Sequence, residues 1–187
     1  APYASCPHIV IALTVEPFLK LFAALASDGR IIEYEIDVLN RRIRRKVDGI
    51  ITARWLYQDK LKPIVEQILK YRYVVIRLYQ EPNVPEYIVS NKYDGVTWKT
   101  YRIITDDLGS VRLVVDVADG SVAQRIDYDE FGRVVSDTNQ GFQPFGYAGG
   151  LYDPDTALSR FGARDSDARI GRWTAKDPLG SPLAVDS

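Results

Sequence analysis

Tyr128-Asp129-Glu130-Phe131-Gly132-Arg133, then Pro144-Phe145-Gly146-Tyr147-Ala148-Gly149-Gly150-Leu151-Tyr152-Asp153-Pro154, Arg160-Phe161-Gly162-Ala163-Arg164-Asp165 and Gly171-Arg172-Trp173-Thr174-Ala175-Lys176-Asp177-Pro178-Leu179-Gly180, is the stretch whose reading decides the fold. Aromatic residues alternate with Asp and Gly at short intervals. So many Gly and Pro residues leave no room for a long helix, and the pattern predicts short strands joined by tight turns.

Working outward, Asp129-x-x-Gly132-Arg133 recurs in weaker form as Asp37-x-x-Asn40-Arg41 and Asp106-x-x-Gly109-Ser110. In each unit the Asp carboxylate can accept from backbone N–H groups two or three residues on, and Gly or Asn takes the positive-φ position. Each unit is thus one strand–turn–strand step. Strands are predicted at Ile31–Ile36, Ile43–Val47, Ile50–Tyr57, Tyr71–Tyr79, Thr97–Ile104, Val111–Val117 and Val122–Tyr128. Their turns fall at Asp48-Gly49, Glu81–Pro85, Asn91–Gly95, Leu108-Gly109, Asp119-Gly120 and Phe131-Gly132. Two places read as helix instead. Phe18, Leu19, Phe22 and Leu25 share a helical face after Pro17, so a short helix near the N-terminus is favoured over a strand at Ile9–Val15. Lys62–Tyr71 also carries a helix-compatible run in Ile64, Val65, Ile68 and Leu69. The fold class is all-β, an extended sheet of repeated hairpins, with no break in composition to divide it.

Composition narrows the chemistry. The hydrophobic content of 46% supports a packed core, and 24 basic against 25 acidic residues give no global field for nucleic acid. One Cys and one His exclude an intrachain disulfide and a structural zinc site built on such ligands. No calcium-loop spacing appears, and no metal or cofactor is expected. The apolar run Ile9–Ala26 is broken by Glu16, Pro17 and Lys20, which speaks against a membrane span or signal peptide. The absence of Met leads us to expect a segment of a longer protein.

The ordered series Tyr128–Arg133, Tyr152-Asp153-Pro154-Asp155-Thr156, Arg160–Arg164 and Gly171–Gly180 resembles the Rhs or YD-repeat family, the shell proteins of bacterial polymorphic toxins and insecticidal toxin complexes, with teneurins as animal relatives. Residues 1–26 match poorly, 27–100 read as degenerate repeats, and 101–187 look like a truncated Rhs-associated core. The resemblance implies a strand ribbon spiralling into a hollow shell around a toxic or effector domain. It also implies an aspartyl autoprotease in the core, with the family's Arg on Arg164 and its first Asp on Asp177. The family's second Asp lies beyond a continuation that Ser181–Ser187 does not resemble. One carboxylate cannot serve both as base and as acid, so at most a partial protease is expected. Ala157, Ser166 and Ala168 depart from the family's Gly, Tyr and Pro, and Ala157 predicts a strained turn.

The leading expectation is therefore an encapsulating wall, secreted or at the cell surface. Its implied partners are the rest of its own parent chain or identical copies, a toxin or effector cargo, and secretion-system or toxin-complex components. An adhesion module and the autoprotease stand as alternatives. Cys6-Pro7-His8 is read as a terminus rather than a thiol–base pair. In Arg41-Arg42-Ile43-Arg44-Arg45-Lys46, strand alternation places Arg42, Arg44 and Lys46 on one solvated outer face rather than on nucleic acid.

Overall fold

The computed structural model describes residues 11–16, 19–59, 62–68, 73–78, 85–92 and 98–175. Strands dominate: β1 (Ile11–Glu16), β2 (Leu19–Leu25), β3 (Ile31–Asp37), β4 (Arg42–Val47), β5 (Ile50–Tyr57), β6 (Pro63–Ile68), β7 (Tyr73–Leu78), β8 (Tyr87–Lys92), β9 (Trp98–Thr105), β10 (Val111–Asp116), β11 (Val122–Tyr128) and β12 (Val134–Asp137). These 12 pair in strict sequence order as one antiparallel sheet. A 3-10 turn at Tyr147–Gly149 precedes a four-stranded sheet of β13 (Leu151–Asp153), β14 (Leu158–Phe161), β15 (Arg164–Asp167) and β16 (Arg172–Trp173). β1 and β12 both end the large sheet without pairing to each other, so it is not a closed barrel.

The repeated turns share one bonding scheme. Oδ1 of Asp37, Asp106 and Asp129 accepts from the N–H two residues on, at 3.0, 3.1 and 3.0 Å. The same oxygen accepts from the N–H four residues on, at 2.9, 2.8 and 2.9 Å. Oδ2 then takes an arginine Nε, from Arg41, Arg112 and Arg133 respectively. Arg41 and Arg133, next after the Asn or Gly of the motif, thus fold back on their own Asp, and Arg112 does so where Ser110 takes that place. The N–H of Arg133 is the main reason that Asp129 is held below the usual carboxylate range. Asn40, at φ 61°, takes the left-handed place that Gly occupies in the other two copies.

Two expectations fail here. The segment after Pro17 is strand, not helix: residues 19–25 pair along their whole length with Asp37–Ile31. Phe22 and Ala24 are buried while Leu21, Ala23 and Leu25 beside them are only partly so, a period of 2 that the helical face had masked. Pro63–Ile68 is likewise a strand, paired with β5 and β7. Its β-branched Ile64, Val65 and Ile68 fit either period, and the sheet edges on both sides decide it. Phe18, Cys6, His8, Asp94 and the segment 81–84 lie outside the described residues.

One face of the large sheet is buried. Following the pairing, Arg77, Ile88, Tyr101 and Asp116 form one row across β7–β10, and Ile103, Val114 and Gln124 another across β9–β11. Ile103, Val114, Ile126 and Phe145 belong to one apolar cluster; Phe22, Ile32, Tyr34, Ile36 and Leu158 belong to a second. Phe145 and Leu158 both come from the C-terminal part, which therefore lies against the same face at both places. The sheet also curls. Residues of β5 and β11 line one cavity of about 1040 Å³, although six strand spacings would set them about 29 Å apart on a flat sheet.

Candidate functional site

The chemistry of this molecule concentrates where the small sheet meets β3 and β4. Tyr152-Asp153-Pro154-Asp155-Thr156 turns between β13 and β14, closed by the Ala157 N–H on the Asp153 carbonyl at 2.8 Å. Oδ1 of Asp153 accepts from the Asp155 N–H at 2.9 Å, as in the repeat turns. Its other oxygen faces the large sheet, accepting from the Tyr34 hydroxyl at 2.5 Å and from Arg45 Nε at 2.7 Å. Arg45 also donates to Asp155, which accepts from Arg30 at 2.7 Å. A second link lies one strand further. Arg160 of β14 and Asp165 of β15 are register partners bonded at 2.9 Å, and Asp165 accepts from Arg42 at 3.1 Å. Arg160 also donates to the carbonyl of Asn40, inside a repeat turn, at 2.9 Å.

Both links are buried: Asp153, Asp165, Arg42 and Arg160 are each 6% exposed or less. Burial alone would push Asp153 up, but the Arg45 guanidinium, with Arg42 and the Tyr34 hydroxyl behind it, holds it below the usual carboxylate range. Burial, and then Asp153, push the Tyr34 phenol up. A carboxylate kept ionised in this way is a poor proton donor at neutral pH. The arrangement holds two sheets together; its geometry is that of a clamp.

Arg42 corrects the reading of the basic run. A bulge in the β3–β4 pairing sets Ile36 opposite Arg42 but Glu35 opposite Arg44. The extra residue breaks the alternation, so Arg42 turns inward with Ile36 while Arg44 and Lys46 stay outside, both paired with Glu35. Arg42 lies 3.7 Å from the centre of the Tyr34 ring. Arg164, the residue singled out by family resemblance, begins β15 with its guanidinium 4.2 Å over the Trp173 ring, and Phe161 meets the same ring edge-on at 5.8 Å. Asp177 lies outside the described residues. The neighbouring Asp165 reaches the large sheet through Arg42. The clamp joins residues more than a hundred positions apart, and its signal was the pair of motifs 152–156 and 160–165.

Ala157 sits at φ 56° in the 152–157 turn, the left-handed conformation expected there. Replacing it by Gly relieves about 1–2 kcal/mol of backbone strain against about 0.5–1 kcal/mol of added chain entropy. Ala157→Gly is therefore expected to stabilise the protein by about 0.5–1 kcal/mol in urea denaturation. A destabilised variant would show that the turn carries no such strain.

A curled sheet of sequential hairpins with a small sheet clamped to its inner face defines a repeat-built β wall. The family model described as Teneurin YD-shell matches residues 20–183. Teneurin-3 of Danio rerio is 40% identical over 161 residues, covering 81% of this chain and 6% of that protein. Teneurin-4 of Mus musculus is 31% identical over 161 residues, 81% of this chain and 5% of its own length. The chain belongs to the teneurin YD-shell family, and it spans about a twentieth of the length of these relatives. The same fold occurs in the crystal structure of TcdB2-TccC3, with a TM-score of 0.55 at 17% identity over 92% of this chain and 9% of that one. No helix among the described residues is long and apolar enough to cross a membrane.

Proposed function

We propose that this chain is a stretch of wall in a hollow shell, exported or displayed at the cell surface, that encloses a toxin or effector domain of its parent protein. The observation that carries this reading is the inward curl of the 12-stranded sheet, with β4 and β5 lining a common space with β11 and β12. Each interior strand satisfies its neighbours' backbone groups, and only the ends of the sheet need further wall to cover them. The clamp then has a mechanical task. It fixes the small sheet to the inner face, so the wall cannot flatten without breaking buried ion pairs. The partners of such a wall are the remainder of the parent chain or identical copies, the cargo, and the toxin-complex or secretion components that would receive it.

Electron microscopy of the intact protein is the direct test. A closed particle with a lumen is expected; a solid globule would overturn the reading. Arg164 and Asp177 enter the same reading as the pair that a self-cleaving core would use. A discrete cleavage of the intact protein that disappears with Asp177→Asn would support that step, and cleavage left unchanged would remove both residues from it.

A further inference from the structure

Beside the clamp lies a second cavity, of about 210 Å³, beneath Arg42 and Arg160 and walled by Tyr57, Phe145, Leu151 and Phe161. Its guanidiniums are incompletely bonded. Arg42 and Arg160 both contact Asp165, and Asp153 acts on Arg42 from further off. The other basic residue on the wall, Arg41, is already paired with Asp37 at 2.7 Å. Nε of Arg42 and Nε of Arg160 are buried without a hydrogen-bond partner. Arg77 stands 5.4 Å over the Phe145 ring; it bonds Glu66 through Nη2, while its Nε and Nη1 are also without partners. Among the described residues, two buried guanidiniums thus border the cavity and a third stands behind Phe145, with four of their nitrogens unbonded. Burial, together with the nearness of Arg42, holds Arg160 below the usual guanidinium range although Asp165 acts the other way.

An unpaired buried charge costs several kcal/mol, and each orphaned donor about 1–3 kcal/mol. A monoanion placed here offsets both costs, and a neutral acceptor offsets only the second. The aromatic walls ask for an apolar body as well as a charge. By volume, about 150 Å³ accommodates a benzene, so the cavity has room for one ring and a carboxylate. A compact inorganic anion would leave the walls unfilled. We infer that this pocket binds a small aryl carboxylate, its carboxylate against Arg42 and Arg160 and its ring among Tyr57, Phe145 and Phe161.

The probe is benzoate, titrated into the intact protein by calorimetry and ligand-observed NMR, with benzamide as the uncharged molecule of the same shape. Saturable binding of benzoate at one site per chain is expected, with benzamide at least about tenfold weaker, the loss that follows when a charged hydrogen bond is removed. Equal binding of the two, binding of neither, or binding of inorganic phosphate in place of benzoate overturns the assignment. Arg160→Gln is expected to weaken benzoate at least about tenfold. Because that change also touches the clamp, Leu151→Trp serves as the second variant, filling the pocket without altering a charge. Benzoate binding retained by Leu151→Trp at an unchanged urea midpoint would place the ligand elsewhere and sink the proposal. The benzoate–benzamide comparison on the unaltered protein decides the matter even if both variants fold poorly.

Discussion

Asp165→Asn is expected to destabilise the protein by about 3–5 kcal/mol, the cost of removing one partner from a buried ion pair. The usual cost comes from one stranded charge, and here two are affected. Arg42 and Arg160, 4% and 5% exposed in their side chains, both lean on Asp165. The amide keeps the volume and one acceptor oxygen but supplies no negative charge, so Arg160 loses its carboxylate and Arg42 is left with the more distant Asp153. Arg42 retains the Tyr34 ring and Arg160 the Asn40 carbonyl. Those contacts set the lower end of the range. The measurement is the urea midpoint at constant m-value, for which a change below about 1 kcal/mol would show that the clamp is incidental to stability. A fall in m-value alongside the midpoint would place the small sheet as a unit that detaches before the wall unfolds.

That clamp was the least legible part of the sequence, and the reason is physical. The Asp-x-x-Gly turns are local. An Asp oxygen, two N–H groups within four residues and a left-handed Gly or Asn suffice to close them, so Asp37, Asp106 and Asp129 could be read directly and behave alike. The strand order followed, because consecutive hairpins have little choice but to pair with their neighbours. Periodicity failed where residues fit two patterns. Leu19–Leu25 and Pro63–Ile68 are apolar and short, and only the partner strands on either side make them sheet. A bulge is similarly silent in sequence, yet one extra residue beside Ile36 moved Arg42 from the solvated face into the core. Finally, Asp153 and Asp165 meet β3 and β4 across 108–123 positions, a juxtaposition fixed by the curl of the sheet. The motifs that hold them were visible; family resemblance drew attention to Arg164, one residue away from the side chain that reaches across.

Asp153→Asn tests the other half of the clamp and adds a signature in pH. Asp153 is buried with Arg45, whose side chain is 14% exposed, and removal of its charge is expected to cost about 3–5 kcal/mol by the same stranding of a guanidinium. Arg45 keeps Asp155, but that carboxylate is more exposed and is shared with Arg30. The pH dependence follows from the direction of the shift. In the folded protein Asp153 lies below the usual carboxylate range, because Arg45 outweighs the cost of burial. Between the unfolded and folded values the unfolded chain binds more protons, so stability rises with pH there. The contribution is complete above the unfolded value and disappears as pH falls through the folded one. In urea titrations from pH 7 down to pH 3, the unaltered protein is expected to hold its midpoint until about pH 5 and then lose stability steeply, as expected for a carboxylate with an unfolded pKa of about 3.9. Asp153→Asn should start lower and fall less, the two curves converging at the acid end. Parallel curves, offset by a constant amount down to pH 3, would mean that Asp153 is not held ionised by Arg45 and that the clamp at this position works through shape alone.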